Sequence, residues 1–135
     1  MDFCELQKRV SEYYQAHCPS FLVWYTPASR PDGIYQKFTG CKGNFRPLID
    51  ILFKQNSIKL LFARYNENAS PEKENLSFKK LKPYSSLTSF LCRENFQEVV
   101  NGTRTHIEKE LHFGTESELI AYLDSFFDKL SKLIV

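Results

Sequence analysis

No run of apolar residues in this chain approaches the ~20 that a membrane-spanning helix needs. Nor does the start, Met1-Asp2-Phe3-Cys4, carry a basic segment followed by an apolar one, so no secretory leader is visible. The four cysteines, Cys4, Cys18, Cys41 and Cys92, form no C-x-x-C and no pair at zinc-knuckle spacing, which argues against a structural zinc site. The even count leaves two disulfides formally open, but with no leader the expectation is reduced thiols and a cytoplasmic location. Charge of one sign is scarce as well. A formal net charge of +2 permits an anionic partner without demanding one. Glycine numbers five, and three of these, Gly33, Gly40 and Gly43, lie at or next to one turn.

Aromatic residues, by contrast, are plentiful. The 12 Phe and 7 Tyr bring the aromatic share to 15%, enough for a well-filled core with rings left over for a surface or pocket. A length of 135 residues suits a single domain, 1–135, that needs no staples. Its abrupt end after an apolar helix also suits a specificity domain cut from a longer protein.

Asp2 and Glu5 read as a capping box opening a helix whose apolar face carries Phe3, Leu6, Val10, Tyr13 and Tyr14, and Pro19 ends it. Phe21-Leu22-Val23-Trp24-Tyr25 reads as a strand. Residues 27–33 form a turn-rich loop ending Arg30-Pro31-Asp32-Gly33, and residues 34–38 form a second strand. Residues 47–53 and 58–65 make a hairpin across Lys54-Gln55-Asn56-Ser57, with Asn56 suited to a left-handed bend. A polar loop covers 66–75, and 76–81 is expected as a further strand ended by Pro83. Ser85 or Ser86 then caps a short helix carrying Leu87, Phe90 and Leu91. Asn101-Gly102 punctuates. Residues 103–113 alternate, with Ile107 and Leu111 on one face and His106, Glu108, Glu110 and His112 on the other, so this is a half-buried strand. Thr115 and Glu118 cap a last amphipathic helix. The fold class that follows is α+β: a curved, mostly antiparallel sheet flanked by N-terminal and C-terminal amphipathic helices.

The stretch Thr39-Gly40-Cys41-Lys42-Gly43-Asn44-Phe45-Arg46-Pro47 is the most suggestive for function, a glycine-rich basic turn with an aromatic that reads as exposed. Several chemistries can be tested against it and its surroundings. A phosphate-binding loop is excluded, because the order G-x-x-x-x-G-K-[ST] is missing and no helix follows. A cysteine nucleophile at Cys41 would need His17, His106 or His112 as base, and nothing in the sequence places one beside it. Asp50 and Lys59 have the separation of a metal-dependent nuclease, but Ser57 stands where the second carboxylate is required. His106 and Glu108 read as an ordinary polar strand face. No catalytic residue, metal or cofactor is therefore assigned. Basic and aromatic residues do interleave from Arg30 to Arg64, as a nucleic-acid surface requires, with cations on phosphates and rings against bases.

The turn Gly-Cys-Lys-Gly-Asn-Phe, followed by Pro47 and an apolar strand, resembles a signature of the N-terminal DNA-recognition modules of McrB-like restriction systems. Gly43, Asn44, Phe45 and Pro47 correspond, over about fifteen residues of similar pattern. The resemblance implies a non-catalytic reader of duplex DNA in a defence-type system, working with a translocase or nuclease subunit. The expected nucleic-acid contacts are Arg30, Lys37, Lys42, Gly43, Asn44, Phe45 and Arg46. The alternative is a small protein-binding factor, an immunity protein or inhibitor, using Tyr25, Tyr35, Tyr65 and Tyr84 as anchors.

Overall fold

In the computed structural model, residues 2–41, 45–54, 57–63 and 75–133 are described. The elements run α1 (Phe3–His17), β1 (Leu22–Trp24), β2 (Ala28–Arg30), β3 (Gly33–Gly40), β4 (Leu48–Phe53), β5 (Ile58–Phe62), α2 (Ser85–Arg93), β6 (Gln97–Asn101), β7 (Arg104–Leu111) and α3 (Glu116–Leu133). The α+β expectation holds. The strands form one open antiparallel sheet in the order β1-β3-β4-β5-β7-β6, with β2 also paired to β3. No helix among the described residues is long and apolar enough to cross a membrane.

Strand alternation sorts the side chains. The register aligns Ile34 with Phe53, Gln36 with Ile51 and Phe38 with Ile49, then Ile51 with Leu60 and Phe62 with Ile107. These face the helices and join a core that takes Leu6, Val10 and Tyr14 from α1, Leu87, Phe90 and Leu91 from α2, and Leu119, Leu123, Phe126, Phe127 and Leu130 from α3. The opposite, outer face carries Tyr35, Lys37 and Thr39 from β3, Leu48, Asp50 and Leu52 from β4, and Lys59 and Leu61 from β5. Every residue of β4 is buried, so this strand is covered on both sides.

Local chemistry fixes the helices. The Asp2 carboxylate accepts from the Cys4 and Glu5 N–H groups at 2.9 and 3.5 Å, which satisfies two otherwise orphaned donors of α1. At α3 the capping box forms as expected: the Glu118 N–H donates to Thr115 Oγ1 at 3.2 Å, and Glu118 Oε2 accepts from the Gly114 N–H at 3.1 Å. Asp124 on α3 then ties the helices together, accepting from Tyr13 Oη at 2.9 Å and Tyr14 Oη at 2.8 Å. Tyr14 is fully buried against Phe38 and Phe127.

Three expectations need correction. Residues 76–81 are not a strand. Leu76 and Leu81 are buried, but residues 78–83 form turns, with the Leu81 N–H donating to Ser77 and Phe78 carbonyls. Neither Ser85 nor Ser86 caps α2; Tyr84 holds the cap position without a side-chain bond. Residues 28–30, read as loop, are strand β2, and β6 was not foreseen. The expected bend at Asn56 lies outside the described residues.

Gly40 has a packing role. A methyl group there would collide with the Phe21 carbonyl oxygen, because Gly40 is paired with Leu22 at the entry to β1. Gly40→Ala is therefore expected to destabilise the fold by about 1–3 kcal/mol, read as a lower midpoint in urea unfolding. Asp124→Ala should also cost about 1–3 kcal/mol, since the buried Tyr14 hydroxyl loses its acceptor. Pairing Asp124→Ala with Tyr14→Phe should return part of that loss, and a double-mutant cycle measures how much.

Candidate functional site

The outer face of the sheet holds a concavity lined by charged side chains. A cleft of about 570 Å³ is lined by Tyr25, Arg30, Asp32, Tyr35, Lys37, Asp50 and Arg104 among others. It exists because β1 and β2 pair with opposite ends of β3: Leu22–Trp24 lie beside residues 38–40, and Ala28–Arg30 beside residues 33–35. Between them the chain leaves the ladder at Tyr25. The Tyr25 N–H still donates to the Lys37 carbonyl at 3.1 Å, and the Gln36 carboxamide donates to the Tyr25 carbonyl at 2.7 Å. Gln36 is fully buried, so this bond holds Tyr25 from beneath while the residue remains 46% exposed.

The charges are arranged by register. Lys37 on β3 lies directly across from Asp50 on β4, and Asp50 is only 4% exposed. Asp32 accepts from the Tyr35 hydroxyl. Burial, then that hydrogen bond, pushes the Tyr35 phenol well above its ordinary range, so it remains a neutral donor. The cleft thus presents three cations, two carboxylates and two phenolic rings. That set can bind a flat anionic molecule, and it contains no activated nucleophile.

The residues singled out in sequence separate here. Arg30 and Lys37 come together in the cleft. Lys42, Gly43 and Asn44 lie outside the described residues, as do Arg64 and Tyr65. Arg46 is half-buried and does not line the cleft. Phe45 is a correction: it is 0% exposed, stacked on Phe62 with centroids 5.7 Å apart and edge-on to Tyr84 at 5.2 Å. A ring with no exposed surface cannot stack on a base. Tyr84 packs edge-on against Phe45 and is half-buried. Tyr25 and Arg104 were missed as a pair. Tyr25 ends an apolar run, and Arg104 begins the outward row of β7, but the cleft that joins them depends on three-dimensional placement.

Further along the outer face, His106 and Glu108 meet at 2.8 Å and Lys59 approaches Glu108 at 3.4 Å. Glu108 thus supplies the carboxylate beside Lys59 that linear order did not reveal. Even so, no group of three metal-ligating side chains stands together among the described residues. Burial alone would raise the Glu108 carboxyl, but the His106 hydrogen bond and the Lys59 charge outweigh it and hold the carboxyl below its ordinary 4.5. Because the folded-state value is the lower one, this group's stabilisation is whole above the unfolded value and drains as pH falls through the folded one. Glu108→Gln should therefore flatten the acid limb of the stability curve below about pH 4.5. Urea titrations at a series of acid pH values check this, and an unchanged limb would contradict it.

Set against family models, curated proteins and solved structures, the chain matches none.

Proposed function

We propose that this protein is a non-catalytic nucleic-acid recognition module that binds through the outer-face cleft. One observation carries the reading: Arg30, Lys37 and Arg104 converge on a single concavity that also contains the half-exposed ring of Tyr25. Cations of this kind neutralise phosphates, and an accessible ring offers a face to a base. The resemblance to McrB-like modules adds a context, the specificity part of a defence-type system that works with a translocase or nuclease subunit. Phe45 lies in the core and Lys42, Gly43 and Asn44 lie outside the described residues, so the reading rests on the cleft.

A second reading has its own support. Val23 is 56% exposed, and alternation places it on the same face as Tyr25. Two neighbouring exposed rings or branched chains suit an aromatic-anchored protein partner, an inhibitor's target for instance. Salt separates the readings, since phosphate contacts weaken steeply with ionic strength and an apolar interface does not.

The test is fluorescence anisotropy with labelled duplexes, cytosine-methylated duplexes and single strands across a salt series. Lys37→Ala should weaken binding about three- to tenfold across sequences and make the salt slope shallower by about one. Arg30→Ala should behave alike. Absence of binding to every nucleic acid at low salt would reject the proposal and favour the protein partner.

A further inference from the structure

Resting on the nucleic-acid reading, we propose that the cleft is a track for one unpaired strand. A base lies on Tyr25, and successive phosphates pass along Arg30, Lys37 and Arg104 from β2 to β7.

The register spaces the three cations along a line. Arg30 pairs with Gly33, four residues before Lys37 on β3. Across the sheet, Lys37 is level with Asp50, Asp50 with Leu61, and Leu61 with Glu108. Arg104 stands four residues before Glu108 on β7, which runs opposite to β5 and therefore opposite to β3. Stepping back along β7 thus leads away from Arg30, so the cations mark two ends and a middle of an oblique path. Four residues are about 13 Å of strand, so no single phosphate lies against all three. A chain of phosphates does. Among the described residues, Arg9, Lys59 and Lys132 each pair with a carboxylate, whereas Arg30, Lys37 and Arg104 have no ion pair. The acids of the lining are engaged elsewhere. Asp32 accepts from the Tyr35 hydroxyl, and Asp50, only 4% exposed, already has a partner of its own.

Tyr25 decides which form of nucleic acid fits. Its backbone N–H donates to the Lys37 carbonyl, which places the residue beside the middle cation. Its side chain lines the cleft, and the residue is 46% exposed. Unlike Tyr14, Tyr84 and Tyr122, it meets no other ring among the described residues. In a duplex, stacking covers both faces of every base, so only phosphates and base edges are presented outward. Nothing flat is then left for this ring. A single strand can splay a base onto it, and such stacking is sequence-tolerant because every base has a face. The strand is recognised for being unpaired, not for its sequence.

The experiment measures anisotropy of labelled oligothymidines, from a dinucleotide to a dodecamer, on the full chain. The dodecamer annealed to oligodeoxyadenosine and a labelled oligoglutamate serve as comparisons. At physiological salt the single-stranded dodecamer should bind about tenfold tighter than the duplex. Its log–log salt slope should be about −2, three phosphates at ~0.7 each. Tyr25→Ala should weaken the dodecamer about tenfold and leave that slope in place. Arg104→Ala should cost the dodecamer about threefold more than the dinucleotide, a contrast free of the statistical gain of a longer strand. None of the substituted side chains is buried, and a thermal melt of each variant checks its fold. Duplex binding as tight as the single strand's, or an equal loss at both lengths with Arg104→Ala, overturns the track and leaves nucleic-acid recognition standing. Binding of oligoglutamate alone, or of none of the probes, overturns both.

Discussion

The pairing of β3 with β4 is the constraint on which the rest of the molecule depends. It runs from Ile34 opposite Phe53 to Thr39 opposite Leu48 and assigns a face to every neighbouring side chain. Because strand side chains alternate, a slip of one residue would turn Phe38 and Ile51 outward and bring Lys37 and Asp50 beneath the helices. Burying those charges among Phe126, Phe127 and Tyr14 would be prohibitive. Core and cleft are therefore two sides of one register. The same hydrogen bonds that seat the helices also bring Lys37 across from Asp50.

The cleft is polar in a way that the interior is not. Along the helix side of the sheet, aromatic rings meet one another at centroid distances such as 5.5 Å for Tyr14 and Phe127 and 5.3 Å for Phe38 and Phe127. On the outer side, Lys59, His106 and Glu108 neutralise one another locally, whereas the Tyr25 end concentrates cations. The break in the edge between β1 and β2 makes this contrast useful. A continuous edge strand would have carried Tyr25 on in the ladder, but the split edge turns the chain there and leaves a recess beside the ring.

Elements that carry their own signals were legible in the sequence. Two capped helices with wide apolar stripes, the hairpin of β4 and β5, and the alternating β7 all behave as their residue patterns require. The elements missed take their structure from partners. Ala28-Ser29-Arg30 has no apolar periodicity and is a strand because β3 offers it an edge. Gln97-Glu98-Val99-Val100-Asn101 is mostly exposed and, among the described residues, pairs with β7 alone. A signal was available there, since Asn101-Gly102 with Gly102 at a φ of 64° joins two strands in a tight hairpin. Leu76 and Leu81 show the opposite error: both are buried, but as anchors of a turn. Of the residues singled out in the sequence for the site, Arg30 and Lys37 line one cleft. Phe45 was misjudged because a glycine-rich neighbourhood says nothing about which way a ring between glycine and proline will point.

Gly40 and Phe45 together have an architectural consequence. Gly40 is pressed beneath the Phe21 carbonyl, and the Phe45 ring is locked between Phe62 and Tyr84. Each is a fixed point of the frame: a side chain added at Gly40 meets backbone of the entry to β1, and a ring removed at Phe45 opens a hole beside Phe62. Substitutions at these two positions therefore report on the integrity of the frame and not on what the outer face binds.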